Sequence, residues 1–362
     1  MEKIAHQSVG IDISKDSFTC CICKRDDKMS LNFSKVSEFK NEKTGFNRFV
    51  KWVRKQTEKG VPMNYVMEAT GVYYEPLAYH LNKLKQEVHV ALPSKIKYYF
   101  KSLNVKTKTD INDARVIAQF GAERKLSVWQ PPLPVLLSLR DLTRMYEQFQ
   151  VQKTAFSNML HSKEHSNEVN KFVLKSNKSI IFSIEKQLKK CEEEIQKLIA
   201  SEDWLNEKVK KLTTIKGVGF MTVAIIVAET LGFEQFYNIK QVASFAGYDV
   251  VERQSGTSIN GKSRISKKGN SHIRRALHFP ALIAKRYNED LKNTFNRIQD
   301  RTPHKMVGYV ALQRKLLTLM FTLWKNDTEY IENYEANKKV APCNQEATQD
   351  SEKITSLDVV EM

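Results

Sequence analysis

The chain has 362 residues, and its 58 Lys and Arg residues exceed its 41 Asp and Glu residues, so the formal net charge is +17. A composition with 41% hydrophobic and 27% charged residues excludes a disordered or fibrous protein. The longest strongly apolar run, at 220–228, is too short for a membrane helix of ~20 residues. The first eight residues, MEKIAHQS, lack a signal core, and the five cysteines fit no zinc spacing. We therefore expect a reduced, cytoplasmic protein whose charge favours a polyanionic partner, most simply nucleic acid.

The first segment, placed at 1–135, alternates strand-like and helix-like stretches. Strands are predicted at 8–14, 16–25, 31–36, 64–69 and 88–93, and helices at 44–58, 76–84 and 111–124. Alternation of this kind favours an α/β domain with a partly parallel sheet.

Long helices are predicted in the second segment, at 136–211. Apolar residues recur every three or four positions along it, among them Ile184, Leu188, Cys191 and Ile195. A heptad pattern held over about four repeats is typical of a coiled coil. We interpret this segment as a helical hairpin or a dimerising stalk. The alternative is a pair of amphipathic helices packed on their own domain.

The third segment, at 212–335, is predicted to be mostly helical around a basic loop. One helix-like run covers 272–298 and is expected to bend at Pro280. A second run covers 306–324. The polar, mostly acidic stretch at 336–362 is predicted to be a disordered tail.

Four acidic residues stand out as candidates for metal chemistry. Asp12 lies in an apolar strand, Glu68 follows another, and Asp110 and Asp113 bracket the start of a helix. Carboxylates that converge at one sheet edge repel one another, and a hard divalent cation between them relieves the repulsion. Two such ions stabilise the entering and leaving oxygens of phosphodiester chemistry. Taken singly, Asp110 can be a helix N-cap and Asp12 can end a strand.

Two basic stretches surround these candidates. The stretch at 93–108 carries Tyr98, Tyr99 and Phe100 among its lysines, a mixture suited to phosphate contacts and base stacking. The stretch at 253–275 has no acid and five serines, so it suits a phosphate cradle. Either stretch can instead be a solvated surface. The predicted nucleic-acid-binding residues are Lys95, Lys97, Lys101, Lys106, Lys108, Arg253, Lys262, Arg264, Lys267, Lys268, Arg274 and Arg275.

The motifs GIDISKDSF, MEATGVYYEPL and KTDINDARVIA, in this order, resemble the Asp-Glu-Asp-Asp (DEDD) RuvC-like domain of an insertion-sequence transposase family. The later GVG, SFAGYDV, QSG and RISKKGNSHIRRAL resemble the C-terminal transposase domain of the same family. The family is often called "IS one-ten", and its members are bridge-RNA-guided DNA recombinases. The resemblance covers residues 8–326, nearly the whole chain.

The resemblance implies an RNase H-like N-terminal fold in which Asp12, Glu68, Asp110 and Asp113 bind Mg²⁺, with two ions expected. It implies that Ser255, in the QSG motif, is the nucleophile and forms a phosphoserine intermediate. A structured noncoding bridge RNA would guide the protein to donor and target DNA. Homodimers joined by the coiled coil would assemble into a tetramer, in the nucleoid of a bacterial cytoplasm.

Two other functions remain open at this point. A Holliday-junction resolvase-like endonuclease would use the same acids with water as the nucleophile. A non-catalytic nucleic-acid-binding protein would need none of them. A covalent protein–DNA product separates the recombinase from the endonuclease, and metal-dependent DNA cleavage excludes the non-catalytic protein.

Overall fold

A computed structural model describes residues 3–107, 109–256 and 259–332. It forms two compact units, Met1–Pro131 and Pro132–Met362. The first unit is mixed α/β and the second is mostly helical, as the predicted fold class requires at this level of description. The finer domain boundaries at 135, 211 and 335 stay predictions, and the predicted tail at 336–362 lies outside the described residues.

Among the residues that the structure describes, the first unit has a sheet of six strands and four helices. In chain order the elements are β1 (Ile4–Ile13), β2 (Ser17–Asp26), β3 (Leu31–Phe33), β4 (Ser37–Lys40), α1 (Lys43–Gln56), β5 (Met63–Glu68), α2 (Glu75–Lys83), β6 (Val88–Ala91), α3 (Pro93–Ser102) and α4 (Asp110–Glu123). The strand order is β3-β2-β1-β5-β6, and β4 also pairs with β2. The β1–β5 and β5–β6 pairs are parallel, whereas the pairs made by β2 are antiparallel. The expected partly parallel sheet is confirmed.

Helices cover both faces of this sheet because successive strand residues point in opposite directions. Ile11 and Met67 are fully buried in a core with residues of α1 and α2. Val66, which directly precedes Met67 on β5, is buried in a second core with residues of α3 and α4. The two faces are therefore distinct, and even-numbered residues of β1 and β5 point towards α4.

The second unit contains nine helices and a two-stranded sheet within its described residues. The elements are α5 (Pro134–Glu164), α6 (Lys171–Ala200), α7 (Asp203–Thr213), α8 (Phe220–Thr230), α9 (Ile239–Phe245), β7 (Val250–Ser255), β8 (Ile259–Ile265), α10 (Ser271–Ala276), α11 (His278–Tyr287), α12 (Glu289–Gln299) and α13 (Lys305–Asn326). They share one large apolar core. Across the described ranges of both units, no helix combines the length and the apolar character that crossing a bilayer requires.

The predicted helical hairpin is present within a single chain. Helices α5 and α6 pack along each other, and ion pairs join Lys153 to Glu185 (2.9 Å) and Lys178 to Glu164 (3.0 Å). The heptad residues of α6 are already buried in this chain, as Ile195 shows with 0% exposure. The seam thus stabilises the unit itself, as the alternative interpretation requires. A coiled coil between two chains stays a prediction.

The prediction of one helix at 272–298 that bends at Pro280 is wrong. The segment forms three helices that break at Leu277 and at Asn288. Pro280 is the third residue of α11, in the first turn, where a missing N–H breaks no helical hydrogen bond. The second break is stabilised by Asn288, whose side chain accepts a hydrogen bond from the Leu291 N–H (3.0 Å).

Candidate active site

The carboxyl ends of β1 and β5 bring two of the four candidate acids to one sheet edge. The parallel register pairs Gly10 with Val66 and Ile11 with Met67. Asp12 and Glu68 follow these pairs directly, so they are neighbours in register. Both are even-numbered positions and point towards the α4 side of the sheet. Both are half-buried.

Helix α4 brings the other two acids to the same edge because it runs antiparallel to β1. A Cβ on Gly121, near the end of the helix, would lie 2.2 Å from Oγ of Ser8. A Cβ on Gly10 would lie 2.4 Å from the carbonyl oxygen of Ala114, nearer the start. Two residues further along β1 is Asp12, and at that level α4 has reached its first turn. Asp110, four residues before Ala114, lies on the stripe that faces β1.

The start of α4 distinguishes the roles of its two acids. The N-cap is Thr109, whose Oγ1 accepts a hydrogen bond from the Asn112 N–H (3.3 Å). The alternative interpretation of Asp110 as the N-cap is therefore wrong. Asp110 is the first helical residue and is exposed, whereas Asp113 is half-buried. Asp113 lies four residues before the buried Ile117, on the stripe that faces β5.

The donor set at this edge fits a hard divalent cation. Carboxylates from β1, β5 and α4 supply the oxygen ligands that Mg²⁺ prefers. In the side-chain conformations of the described residues, no three His, Cys, Asp or Glu groups are close enough together to hold an ion. The backbone placement therefore suits the predicted metal site, and metal binding stays a prediction.

The stretch predicted as a basic loop folds largely as a β-hairpin in the second unit. Strands β7 and β8 pair antiparallel, and Ser255 pairs with Ile259 as the last residue of β7. Ser255 is exposed. The next residue, Gly256, has φ = +54°, a left-handed conformation that glycine adopts without steric cost. The hairpin therefore presents the Ser255 hydroxyl close to its tip.

The structure distinguishes the surroundings of four of the five serines of this stretch. Ser266 donates a hydrogen bond from Oγ to Oδ1 of Asp249 (2.5 Å), at the base of the hairpin. Ser258 lies outside the described residues. Ser263 on β8 and Ser271 at the start of α10 are exposed, like Ser255. Only Ser255 of these three immediately precedes a turn glycine.

The first basic stretch forms α3, a helix that the sequence patterns did not predict. Lys95, Lys97 and Lys101 are exposed on it, together with Tyr98, which is 61% exposed. Tyr99 is buried and donates a hydrogen bond from its hydroxyl to Oε2 of Glu123 (2.7 Å). Burial and this hydrogen bond raise the pKa of Tyr99. Tyr98 is therefore the aromatic side chain of α3 that is available for base stacking.

The remaining predicted nucleic-acid-binding residues differ in their surroundings. Lys106, Arg264, Lys267, Lys268 and Arg275 are exposed. Arg274 is half-buried, and its Nη1 donates hydrogen bonds to the carbonyl oxygens of Ala246, Gly269 and Asn270. Arg274 therefore braces the chain around the hairpin base. Lys108 and the side chains of Arg253 and Lys262 lie outside the described residues.

A buried polar cluster in the second unit was missed by the sequence analysis. Arg144 of α5 and Asn270 both donate hydrogen bonds to Glu229 of α8, a residue that is 4% exposed. Glu229 stands in the apolar run AIIVAET, and an acid within such a run is the one local signal that could have identified it. Its partners are distant in sequence and have no local signal.

The thiols of the first unit are poor candidates for a nucleophile. Cys20, Cys21 and Cys23 are free and buried. Burial raises the pKa of all three, that of Cys23 to about 12. Because the thiolate is the reactive form, these cysteines are inert at neutral pH.

Two family models match the chain. Residues 9–163 match a model described as "Transposase", and residues 209–296 match the "Transposase IS116/IS110/IS902 family". The pilin gene-inverting proteins of Moraxella bovis and Moraxella lacunata are each 26% identical over 324 residues, 89% of this chain and 97% of theirs. An IS110 uncharacterized 43.6 kDa protein of Streptomyces coelicolor is 25% identical over 130 residues, 36% of this chain and 32% of its own. The four acids lie in the first matched region and Ser255 in the second.

Proposed function

This chain belongs to the IS110 family of transposases, and from this premise we propose that it cleaves DNA strands of an insertion sequence and rejoins them through a covalent bond to Ser255. Transposase or recombinase activity follows from the family. The nucleophile, the metal and the guide are the proposed parts.

The observation that carries the proposal is the placement of Asp12 and Glu68 next to each other in register, facing the helix that begins with Asp110 and Asp113. These four carboxylates would hold Mg²⁺, with two ions expected. Bound there, the metal would supply positive charge against the phosphate oxygens.

The chemistry at Ser255 is a transesterification. Its Oγ attacks the phosphorus atom and loses its proton, while the bond from phosphorus to one deoxyribose oxygen breaks and that oxygen leaves protonated. The phosphoserine ester keeps the energy of the broken bond, so a second deoxyribose hydroxyl can attack the ester and release the serine. Hydrolysis by water would discard this energy. The ester therefore suits an enzyme that cleaves a strand and later rejoins it, whereas an endonuclease does not need it.

The proposed partners are donor DNA, target DNA and a structured bridge RNA that selects them. The exposed lysines of α3 and the exposed Tyr98 combine phosphate contacts with a stacking surface, which suits unpaired nucleotides. The names of the Moraxella relatives describe inversion of a gene, which is also an exchange of strands. A tetramer built from homodimers is proposed from the family resemblance.

The test compares Ser255→Ala with Ser263→Ala, an exposed serine on the other strand of the same hairpin. Both variants should bind DNA and RNA like the wild type. Ser255→Ala should form no covalent DNA adduct on denaturing gels with Mg²⁺, whereas Ser263→Ala should form it normally. An adduct that persists in Ser255→Ala would reject the nucleophile. Cleavage without any adduct in the wild type would support the endonuclease that uses water.

A further inference from the structure

The hairpin that carries Ser255 is joined to the rest of its unit by two chain segments that lie side by side at its base. Backbone N–H groups of the returning segment donate to carbonyl oxygens of the entering segment, from Ser266 to Asp249 (2.8 Å), from Lys267 to Gly247 (3.1 Å) and from Asn270 to Phe245 (2.7 Å). These bonds tie the segments to each other. The last of these bonds also joins the returning segment to the end of α9, since Phe245 is the final residue of that helix.

Arg274 of α10 already braces the base through its hydrogen bonds to backbone carbonyl oxygens. Asn270 and Glu229 add an attachment to α8. The Nδ2 group of Asn270 donates a hydrogen bond to Oε2 of Glu229 on α8 (2.5 Å). On its other side, Oδ1 of Asn270 caps α10 by accepting hydrogen bonds from the N–H groups of His272 (2.9 Å) and Ile273 (3.2 Å). One side chain therefore connects the hairpin base, the start of α10 and a buried carboxylate.

Glu229 is itself held from a third element. Arg144 of α5 donates two hydrogen bonds to it, from Nε to Oε1 (2.7 Å) and from Nη2 to Oε2 (3.0 Å). One helical turn along α5, Glu147 contacts Nδ1 of His272 on α10. The bidentate geometry fixes the plane of the Glu229 carboxylate, so the position of Asn270 is fixed with it.

Because Ser255 is far from the hairpin base, a small tilt at the base displaces the serine oxygen by a large distance. Five residue steps along β7 separate Val250 from Ser255, about 17 Å at a strand rise of ~3.3 Å per residue. A tilt of about 5° at the base would move the serine oxygen by roughly 1.5 Å over that length. Misplacement by about 1 Å can cost a reaction roughly 100-fold in rate.

We propose that Glu229 and Asn270 are positioning residues for Ser255: their hydrogen bond, held by Arg144, fixes the angle at which the β7–β8 hairpin presents its hydroxyl. This inference rests on the proposed role of Ser255 as the nucleophile. The function of the contact is geometric, and neither residue touches the DNA phosphate.

The test exchanges the donor and the acceptor of the hydrogen bond between Asn270 and Glu229. Asn270→Asp keeps an oxygen that caps α10, but it places a second carboxylate against Glu229 and breaks the hydrogen bond. In the double variant Asn270→Asp with Glu229→Gln, the Gln amide nitrogen donates to the new Asp and restores the bond. The Gln oxygen still accepts from Nε of Arg144, whereas Nη2 of Arg144 loses its acceptor on Glu229 and has the new carboxylate nearby. The matched control is Asn238→Asp, an exposed N-cap of α9 that accepts a hydrogen bond from the Gln241 N–H (3.0 Å).

Asn270→Asp should lower the rate of adduct formation at saturating DNA at least about 10-fold. The DNA dissociation constant should change less than about 2-fold, because the exposed basic residues are unaltered. The double variant should recover most of the rate, and Asn238→Asp should keep all of it. A purely structural role would instead lower the thermal midpoint and DNA affinity of Asn270→Asp together, with no recovery of rate in the double variant.

Hydrogen exchange separates this inference from the proposed nucleophile. Backbone amides at 250–256 and 259–265 should exchange faster in Asn270→Asp than in the wild type, and at the wild-type rate in the double variant. Unchanged exchange in Asn270→Asp would overturn the positioning role even if Ser255 is the nucleophile. Faster exchange in a protein whose adduct maps to another residue would keep the attachment and reject Ser255.

Discussion

Gly10 of β1 lies directly against the backbone of α4, and a Cβ on Gly10 would be 2.1 Å from the Ala118 nitrogen. No side chain fits at this distance. The contact lets the helix approach closely enough for its first turn to lie beside Asp12. We expect Gly10→Ala to displace α4 and to cost about 1–3 kcal/mol of unfolding free energy, the usual cost of overpacking. Gly219→Ala, where no atom lies within 4 Å of the added carbon, is the control for thermal unfolding.

The same displacement should weaken metal binding. In Gly10→Ala, the carboxylates of α4 would no longer sit at the level of Asp12, so the Mg²⁺ requirement for cleavage should rise. Cleavage with the wild-type Mg²⁺ dependence would show that α4 contributes no ligand.

Asp12→Asn should abolish Mg²⁺-dependent cleavage while the fold and nucleic-acid binding persist. The substitution keeps the shape of the side chain and removes a charge that a divalent ion needs. Asp113→Asn should behave in the same way. Asp16→Asn, an exposed acid three residues after the end of β1, is the control and should cleave normally. Isothermal calorimetry with Mg²⁺ and a cleavage assay measure the two effects, and full cleavage by Asp12→Asn would remove this residue from the site.

Neutralising Lys95, Lys97 and Lys101 together should weaken RNA binding and its salt dependence. Each lost phosphate contact lowers the slope of log affinity against log salt by about 0.7–0.9, so the triple Gln variant should lose roughly 2–3 units of slope.

The control for this experiment lies on the other face of the same sheet. Replacing Lys51, Arg54 and Lys55 of α1 by Gln removes the same charge from an exposed surface. If both triple variants lose the same slope, the α3 surface contributes only to net charge. Tyr98→Ala should lower affinity for single-stranded RNA without changing the slope, since stacking releases no counterions.

Low pH should lower the stability of the second unit, because it protonates Glu229. Burial opposes ionisation of this carboxyl, but the hydrogen bonds from Arg144 and Asn270 outweigh burial and lower the pKa of Glu229. The folded pKa is therefore below the unfolded value near 4.5, so the contribution to stability is complete above about pH 4.5 and is lost as the pH falls through the folded pKa.

Glu229→Gln measures this contribution. At pH 7 the variant should lose about 1–3 kcal/mol, as expected when hydrogen bonds to a charged group are weakened. The difference in thermal midpoint between the wild type and the variant should shrink below pH 4.5. A difference that stays constant from pH 7 to pH 3 would contradict the lowered pKa.

Self-association should depend on exposed apolar residues of α6 and not on its heptad seam. Leu188 and Ile195 belong to the predicted heptad seam, and both are buried within one chain. Leu188→Lys should therefore lower the thermal midpoint. Phe172 and Phe182 are 76% and 71% exposed. The double variant Phe172→Ser with Phe182→Ser should keep the fold and lower the oligomer mass that light scattering measures.

The matched control for the double Phe variant is Tyr237→Ser. Tyr237 is 87% exposed and lies outside the helical hairpin formed by α5 and α6. An oligomer mass that is unchanged in the double Phe variant would place any assembly interface elsewhere. A monomeric wild type would reject the proposed tetramer.

Local patterns in the sequence were sufficient for most of the first unit. The alternation in residues 8–14 and the helical spacing in 111–124 predicted β1 and α4, because strand and helix periods depend only on neighbouring residues. The short strand β4 and the helix α3 were missed. Three of the four residues of β4 are polar or charged, and α3 mixes lysines with aromatics, so neither carries a clear period.

The family was also identified from the sequence, because each of its motifs is a short run of neighbouring residues. In chain order these motifs contain Asp12, Glu68, Asp110, Asp113 and Ser255. The sequence by itself thus determined the classes of most elements, the candidate residues and the family. Only the tertiary structure decided which residues meet: Asp12 and Glu68 through strand register, Gly10 with α4 through close packing, and Arg144, Glu229 and Asn270 through one buried cluster. The heptad seam of α6 illustrates the same limit of the sequence. An apolar stripe predicts that one face of a helix is buried, but it does not identify the surface that covers this face. The contacts that the tertiary structure decided join residues 41 to 108 positions apart. They depend on how helices and strands pack, and no local period encodes that packing.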